Sequence, residues 1–232
     1  MKVCFHNDAK KYPPSMLKKL LDEHQIKPAR IINFDPSKIV RLDLSKDNEA
    51  LQRVDLNDEE DFSQFIFNQL SDGAVGIGGY KEVRSFYSRS ELFTEGKQRT
   101  IHLGIDVWTE AGTQVYAPMD AKIHSFDNRA FHGDYGPVII LEHQLGPHKL
   151  FSLYGHLSKQ SLEGKVVGQV IRSGEQFGWL GEYSENYHWP PHLHFQLMWD
   201  MKGHVGDYPG VCKASEVQVY LNNCPDPGVM LY

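Results

Sequence analysis

The chain has 232 residues, of which 41% are hydrophobic and 12% aromatic, and this composition argues against a globally disordered protein. Its formal charge of -6 at pH 7 argues against nucleic acid as the main partner. The sequence contains no membrane segment and no visible signal peptide. We therefore expect a cytoplasmic protein as written, or a periplasmic or secreted one if a leader has been removed.

The three cysteines, Cys4, Cys212 and Cys224, lack the short spacing of a zinc knuckle. In a cytoplasmic chain they are expected to be free thiols.

Residues 1–78 predict a small α+β region. A first helix follows Ser15 and buries leucines at helical spacing, and a second begins at Asn57 with Glu60 in a capping-box position. Residues 31–34 and 39–44 predict strands. The glycine-rich segment 76–79 does not have the spacing of a dinucleotide-binding loop. It predicts a turn-rich linker into a second domain.

Residues 79–232 predict a mainly β domain, because short β-like runs recur every 8 to 14 residues with Gly, Pro and Asp between them. This spacing is typical of an antiparallel sandwich or barrel. The runs are 114–117, 122–126, 138–143, 150–154, 166–171, 177–180 and 192–199. The proline-rich tail, 211–232, is expected to cross the domain as an ordered strap without regular structure.

Two histidines in the last of these runs are the candidate centre of the chemistry. In a strand, His192 and His194 project from the same face, while Leu193 points the other way. His102 and Asp106 are four residues apart, so an extended segment or one helical turn can direct both side chains to one point. Together these four side chains offer the nitrogen and oxygen ligands that suit zinc. Spacing alone leaves open which of His192 and His194 binds the metal.

Four motifs in one order carry a family resemblance. The chain resembles the lysostaphin/LytM-type zinc metallopeptidases through His102-x-Gly104-x-Asp106, residues 111–118, Tyr154-Gly155-His156 and His192-Leu193-His194-Phe195. The resemblance implies an antiparallel β-sheet groove, a barrel-sandwich hybrid, with one Zn²⁺ per chain on its floor. It also implies that His102, Asp106 and His194 are the zinc ligands and that His156 and His192 are the catalytic acid-base groups.

The resemblance further implies a metalloendopeptidase whose substrates are peptides, with the murein peptides of the cell wall as the candidate. Three protein ligands leave a fourth position for water, which zinc acidifies to a pKa of about 7. Tyr154 is a candidate groove residue, and alternation along its strand predicts that it shares a face with His156. Tyr87 and Arg84, in an unusual aromatic and basic cluster, are further candidates for substrate binding.

Two alternatives stay open. One is a non-catalytic metal- or peptide-binding module, which the complete set of site residues disfavours. The other is a cytoplasmic amide hydrolase that acts on a small peptide-like substrate. The missing leader favours this second alternative. Residues 79–89 and 206–212 are similar to a peptidase-like module that occurs fused between a small-molecule kinase-like domain and an aminotransferase, and this similarity argues against a murein substrate without affecting the metal site.

Overall fold

The computed structural model describes residues 12–85, 87 and 99–231. The helices are α1 (Met16–Glu23), α2 (Glu59–Phe67) and α3 (Val217–Asn223). The strands are β1 (Ile39–Leu42), β2 (Val75–Gly78), β3 (Ile101–His102), β4 (Ile105–Trp108), β5 (Gln114–Tyr116), β6 (Ala121–Arg129), β7 (Gly136–Leu145), β8 (His148–Gly155), β9 (Val170–Ile171), β10 (Gln176–Trp179), β11 (His192–Met198) and β12 (Val211–Cys212).

Eight strands form one sheet in the order β1-β2-β4-β11-β8-β7-β6-β9. Its strand pairs are antiparallel except for β1 and β2, which are parallel. The pairs β5–β10 and β3–β12 form two small sheets. The prediction of a mainly β, largely antiparallel fold is confirmed, and the sheet is open rather than closed into a barrel.

The central strands are buried on both faces and sort their side chains by alternation. From β11, Leu193, Phe195 and Leu197 enter the main core, which also holds the leucines of α1. The opposite face of β11 carries His192 and His194, and farther along it Met198 joins a second apolar cluster. The predicted facing of the histidine strand is confirmed.

The prediction that residues 76–79 form a linker is wrong, because Val75–Gly78 is the buried strand β2, held between β1 and β4. Its glycines serve close packing rather than a turn. A Cβ at Gly76 would lie 2.5 Å from Cδ1 of Leu42 and 3.2 Å from Cβ of Trp108. Strands from both sides of residue 78 therefore share one sheet, while the division into domains at that point stays a prediction.

Three further predictions of local structure need correction. Residues 31–34 form no strand, because Ile31 and Ile32 are buried in an irregular segment whose carbonyl at Ile31 accepts from the amide of Tyr116. Helix α2 begins at Glu59, after Asp58, whose side chain accepts from the amide of Asp61. Of the predicted strand 166–171, only β9 forms.

The tail contains more regular structure than predicted. Before the prolines it supplies strand β12 and the two-turn helix α3, and the proline-rich stretch itself forms a 3-10 turn at Pro227–Met230. Cys212 and Cys224 are buried free thiols, while Cys4 lies outside the described residues. In the part of the chain that the structure describes, no helix is long and apolar enough to cross a membrane.

A buried polar chain crosses the main core beside β8. The Nδ1 of His143 donates to the carbonyl of Asp120 at 3.1 Å, and its Nε2 lies 2.6 Å from the hydroxyl of Ser152. That hydroxyl lies 3.0 Å from the hydroxyl of Tyr154. Burial lowers the pKa of His143 to about 4, since the core disfavours its charged form.

The depressed pKa of His143 predicts a loss of stability in acid. The unfolded chain takes up this proton near pH 6.5, and the folded chain only near pH 4, so the contribution is complete above pH 6.5 and is lost as the pH falls toward 4. The difference between these two pKa values corresponds to about 3 kcal/mol of folding stability. Between pH 7 and 4, the free energy of unfolding measured with denaturant should fall less in His143→Gln than in the parent chain. The exposed His24→Gln control should follow the parent chain, and equal slopes in all three proteins would contradict the assignment.

Candidate metal centre

The register between β4 and β11 places the first pair of site residues. His194 lies opposite Asp106 in this antiparallel pair, and His192 lies opposite Trp108. Directly opposed residues on one face of a sheet lie within side-chain contact. The third residue, His102, is in β3, one short turn before β4, and its backbone pairs with Val211 of β12. The two separated sequence motifs therefore meet through strand pairing.

Three ligand atoms converge at this point. The Nε2 of His102 lies 3.0 Å from the Nδ1 of His194 and 3.3 Å from the Oδ1 of Asp106. The third edge, from His194 Nδ1 to Asp106 Oδ1, is 3.1 Å. Ligands about 2.0–2.1 Å from a tetrahedral zinc ion lie roughly 3.3 Å from one another. The spacing therefore fits a zinc ion, and no fourth His, Cys, Asp or Glu joins the group among the described residues.

In His102 and in His194, one ring nitrogen is occupied by a hydrogen bond directed away from the cluster, so the other nitrogen, which faces the cluster, is free to bind a metal. The Nδ1 of His102 donates to the carbonyl of Gly79 at 2.9 Å, which leaves its Nε2 as a lone-pair donor. The Nε2 of His194 donates to the Oε1 of Gln196 at 3.0 Å, and the Gln196 amide is oriented by its own bond to the carbonyl of Pro209 at 3.1 Å. Metal-bound histidines typically have such partners.

The carboxylate of Asp106 is 2% exposed and divides its two oxygens between two tasks. Its Oδ1 faces the histidines, and its Oδ2 accepts from Nη1 of Arg84 at 2.6 Å. Burial alone would raise the pKa of Asp106, but the neighbouring His102 ring and the Arg84 guanidinium hold it well below its usual range. Burial, with Arg84, lowers the pKa of His102 to about 4. Near neutral pH the site therefore holds an ionised carboxylate and an uncharged His102.

Glycine at position 104 gives the ligands the room to meet. A Cβ there would lie 2.7 Å from both Cε1 and Nε2 of His194 and 2.7 Å from the carbonyl oxygen of Phe195. All three distances are far below ordinary contact, and the carbonyl belongs to the central strand β11, whose backbone is held by its neighbours on both sides. Position 104, between His102 and Asp106, is therefore glycine because any side chain there would collide with His194.

His192 and His156 lie beside the cluster as predicted, with ring centroids 4.1 Å apart. His192 stacks on Trp108 at 4.0 Å, and its Nδ1 donates to the carbonyl of Pro190 at 2.8 Å, so its Nε2 is the nitrogen left to accept a proton. The buried Nδ1 of His156 has no hydrogen-bond partner in the part of the chain that the structure describes. Burial, opposed by Asp106, lowers the pKa of His192 to about 4, and burial with His192 and His194 places that of His156 well below its usual value.

The prediction that Tyr154 and His156 share a face is wrong. Tyr154 is fully buried in the main core, where its ring packs against Phe177 and Phe195. His156 has a φ of +60°, a left-handed conformation that ends the alternation of β8 and turns its ring toward His192. Substrate binding by Tyr154 stays a prediction that this burial disfavours.

A cavity of about 100 Å³ opens beside the ligands. Asp106, His194, His156 and His192 line it, as do Arg84, Tyr87 and Trp189. Of the predicted substrate-binding residues, Arg84 and Tyr87 therefore reach the cavity. Trp199, the residue directly after β11, does not line this cavity but lies in the main core.

Several residues that shape the site were not among those predicted. They are Gly79, Glu82, Gln196 and Trp108 around the ligands, and Arg129, Asp134, Tyr135 and Asp207 in the cavity wall. Gln196 could have been found, because it is two residues after His194 and so shares its face of the strand. Trp108 could have been found in the same way, since it is two residues after Asp106 in β4, but the other residues come from remote segments that no spacing in the sequence indicates.

A buried His-Asp-His cluster flanked by two further histidines is an arrangement that metal-dependent hydrolases use. Residues 100–205 match the model of peptidase family M23. The catalytic domain of the antimicrobial peptidase lysostaphin from Staphylococcus simulans is 30% identical over 52% of this chain and 80% of that chain, with a TM-score of 0.35. No curated protein sequence matches the chain.

Two other solved structures are more distant. A peptidase M23 protein from Pseudomonas aeruginosa is 22% identical over 56% of this chain and 43% of that chain, with a TM-score of 0.38. A zinc-containing peptidase from Vibrio cholerae is 23% identical over 51% of this chain and 31% of that chain, with a TM-score of 0.35. The chain thus spans less than half the length of either protein.

Through residues 100–205 the chain belongs to peptidase family M23. The assignment rests on the family match and on the 30% identity with lysostaphin, since the structural overlaps are partial. The predicted resemblance to lysostaphin-type peptidases is thereby confirmed.

Gly104→Ala should weaken zinc binding sharply while the chain stays folded. The added methyl group must displace the His194 ring or the backbone of β11, because it would lie 2.7 Å from each. The measurement is the zinc dissociation constant by competition with a chelator, and we expect a loss of at least about tenfold. The matched control is Gly79→Ala, whose Cβ would make only ordinary contacts of 3.6 Å and whose carbonyl stays in place. Equal affinities in the two variants would contradict the close packing of the ligands.

Proposed function

We propose that this chain is a zinc-dependent endopeptidase that hydrolyses peptide bonds at the His102, Asp106 and His194 centre. The observation that carries the proposal is the convergence of three ligand atoms, 3.0 to 3.3 Å apart, beside two histidines that do not take part in the cluster. Membership of a peptidase family supports it.

The donor set suits one zinc ion per chain. Two imidazole nitrogens and one carboxylate oxygen leave a tetrahedral ion one position for water or substrate, as in catalytic sites. When bound there, zinc supplies Lewis-acid chemistry, in which it polarises a peptide carbonyl and acidifies water. Gly79 and Gln196 hold the two imidazoles in the tautomers that this role requires.

The two remaining histidines divide the proton transfers. Nε2 of His192 accepts a proton from the attacking water and returns it to the leaving amine, because its Nδ1 proton is held by Pro190. The low pKa of His192, about 4, keeps it in the accepting form near neutral pH. His156 stabilises the tetrahedral oxyanion by a hydrogen bond from its ring, whose Nδ1 has no hydrogen-bond partner among residues 12–85, 87 and 99–231.

The proposed substrate class is a short or flexible peptide, with murein peptides as the first candidate. The resemblance to cell-wall peptidases and the 30% identity with lysostaphin support it. A hydrolase of small peptide-like amides is a second candidate, favoured by the cavity volume. About 100 Å³ is small beside the roughly 300–1,000 Å³ of common ligand pockets. Such a substrate would be available in the cytoplasm, whereas murein would not.

Alanine variants separate the two roles assigned to the histidines. His194→Ala removes a ligand, so zinc content should fall from about one per chain to near zero and activity should be lost with it. His192→Ala should retain zinc and lower kcat by about 10²–10⁴-fold, since it removes proton transfer alone. His156→Ala should also retain zinc and lower kcat. Zinc is measured by elemental analysis, and hydrolysis is followed on purified murein, short flexible peptides and small peptide amides.

His204→Ala, in the segment between β11 and β12 and outside the group of candidate ligands, serves as the control for loss of a histidine. A zinc-loaded, folded parent chain that hydrolyses none of these substrates would contradict the proposed activity. That result would favour a non-catalytic binding module. Full activity in His192→Ala would overturn the role given to that residue.

A further inference from the structure

Arg84 lies outside the segment that matches the family, residues 100–205, yet it contacts a metal ligand directly. Its side chain is 2% exposed, and its Nη1 donates to Oδ2 of Asp106 at 2.6 Å. The same Nη1 lies 3.1 Å from the hydroxyl of Tyr87, and Nε donates to Oε2 of Glu82 at 2.7 Å. The guanidinium is therefore engaged by two carboxylates and a hydroxyl inside the protein.

Glu82 extends this contact to the N-terminal part of the chain. Its second oxygen, Oε1, accepts from the backbone amide of Leu44 at 3.0 Å. A continuous polar path thus runs from Leu44 through Glu82 and Arg84 to Asp106. In parallel, the carbonyl of Gly79, at the end of β2, holds the ring of His102. Two of the three ligands are oriented by groups from residues 79–84.

The path has a defined effect on Asp106. A charge-assisted bond of 2.6 Å to Oδ2 is strong and directional, and it leaves Oδ1 as the oxygen that faces the histidines. A carboxylate buried to this degree would be costly without a cationic partner. Groups of this kind around a metal site typically change its affinity by about 10–100-fold.

We propose that Arg84 is a positioning residue that holds Asp106 as a one-oxygen ligand, and that Glu82 couples this ligand to the N-terminal region. Residues outside the family segment therefore complete the metal centre of this chain. This inference rests on the zinc-binding part of the proposed function and not on peptide hydrolysis.

The main variant is the double substitution Arg84→Met with Glu82→Gln. It removes both charges of the ion pair, so that no carboxylate at position 82 is left without its cationic partner. We expect zinc affinity, measured by chelator competition, to fall by about 10–100-fold. Arg84→Lys keeps the charge and should recover part of the loss. The control is Lys149→Met with Glu142→Gln, which makes the same change of charge at a more exposed ion pair of 2.9 Å between β7 and β8, and it should keep the parent affinity.

Cobalt substitution distinguishes positioning from a merely structural role. Release of Oδ2 allows Asp106 to bind through both oxygens, so the visible spectrum of the Co²⁺-loaded double variant should differ from that of the parent in position and intensity. The Lys149 and Glu142 control should give the parent spectrum. An unchanged spectrum together with zinc affinity within about threefold of the parent would overturn the proposal.

A raised KM with unchanged zinc affinity would assign Arg84 to substrate binding instead. If the double variant does not fold, Glu82→Gln alone is the test. The side-chain oxygen of the new glutamine would still accept from the amide of Leu44, but its NH₂ group would face the Nε–H of Arg84, so that two donors oppose each other. Because the hydrogen bond to Arg84 is lost, zinc affinity should fall by roughly threefold to tenfold. Unchanged affinity would again overturn the proposal. A parent chain that binds zinc but cleaves no peptide would refute the proposed function and leave this inference standing.

Discussion

The register between β4 and β11 is the constraint on which the site depends. It sets His194 opposite Asp106 and His192 opposite Trp108, so that one ligand pair and one stacked histidine arise from adjacent steps of a single ladder. A slip of one residue would turn the histidines toward the main core and Leu193 and Phe195 toward the cavity. The apolar face of β11, which is completely buried, therefore fixes the geometry of its polar face.

Burial makes this arrangement costly unless each polar group has a partner. The imidazoles of His102 and His194 each donate to an oxygen, and Asp106 is matched by Arg84. Each of these bonds also selects the atom that faces the ion. The same contacts that make burial tolerable thus prepare the ligands in advance, and a preorganised site is what a catalytic metal requires.

Alternation is sufficient to predict the facing of the histidine strand, whereas the choice of His194 over His192 as a candidate ligand comes from the family resemblance. His192 and His194 share a face because a strand has a period of two, and Leu193 and Phe195 are in the core for the same reason. The same rule failed at His156, because a left-handed φ at that residue ends the alternation. A single backbone conformation of this kind leaves no periodic signal in the sequence.

The partners of the ligands could not be predicted for a different reason. Gly79 was assigned to a linker, because a glycine-rich segment is typical of turns, whereas close packing against Leu42 and Trp108 makes its neighbours a buried strand. Arg84 was interpreted as a substrate contact, since a local pattern cannot show that Asp106 lies beside it. Both contacts join segments that are separate in sequence and meet only in the folded chain.

We expect two imidazoles and one carboxylate oxygen to bind a single zinc ion with one coordination position left open. Zinc K-edge X-ray absorption on the zinc-loaded chain measures this coordination directly. We predict two imidazole nitrogens and two oxygens, one from Asp106 and one from solvent, all at about 2.0–2.2 Å. A sulfur neighbour at about 2.3 Å, a third imidazole that closes the shell, or the absence of bound zinc would contradict the account.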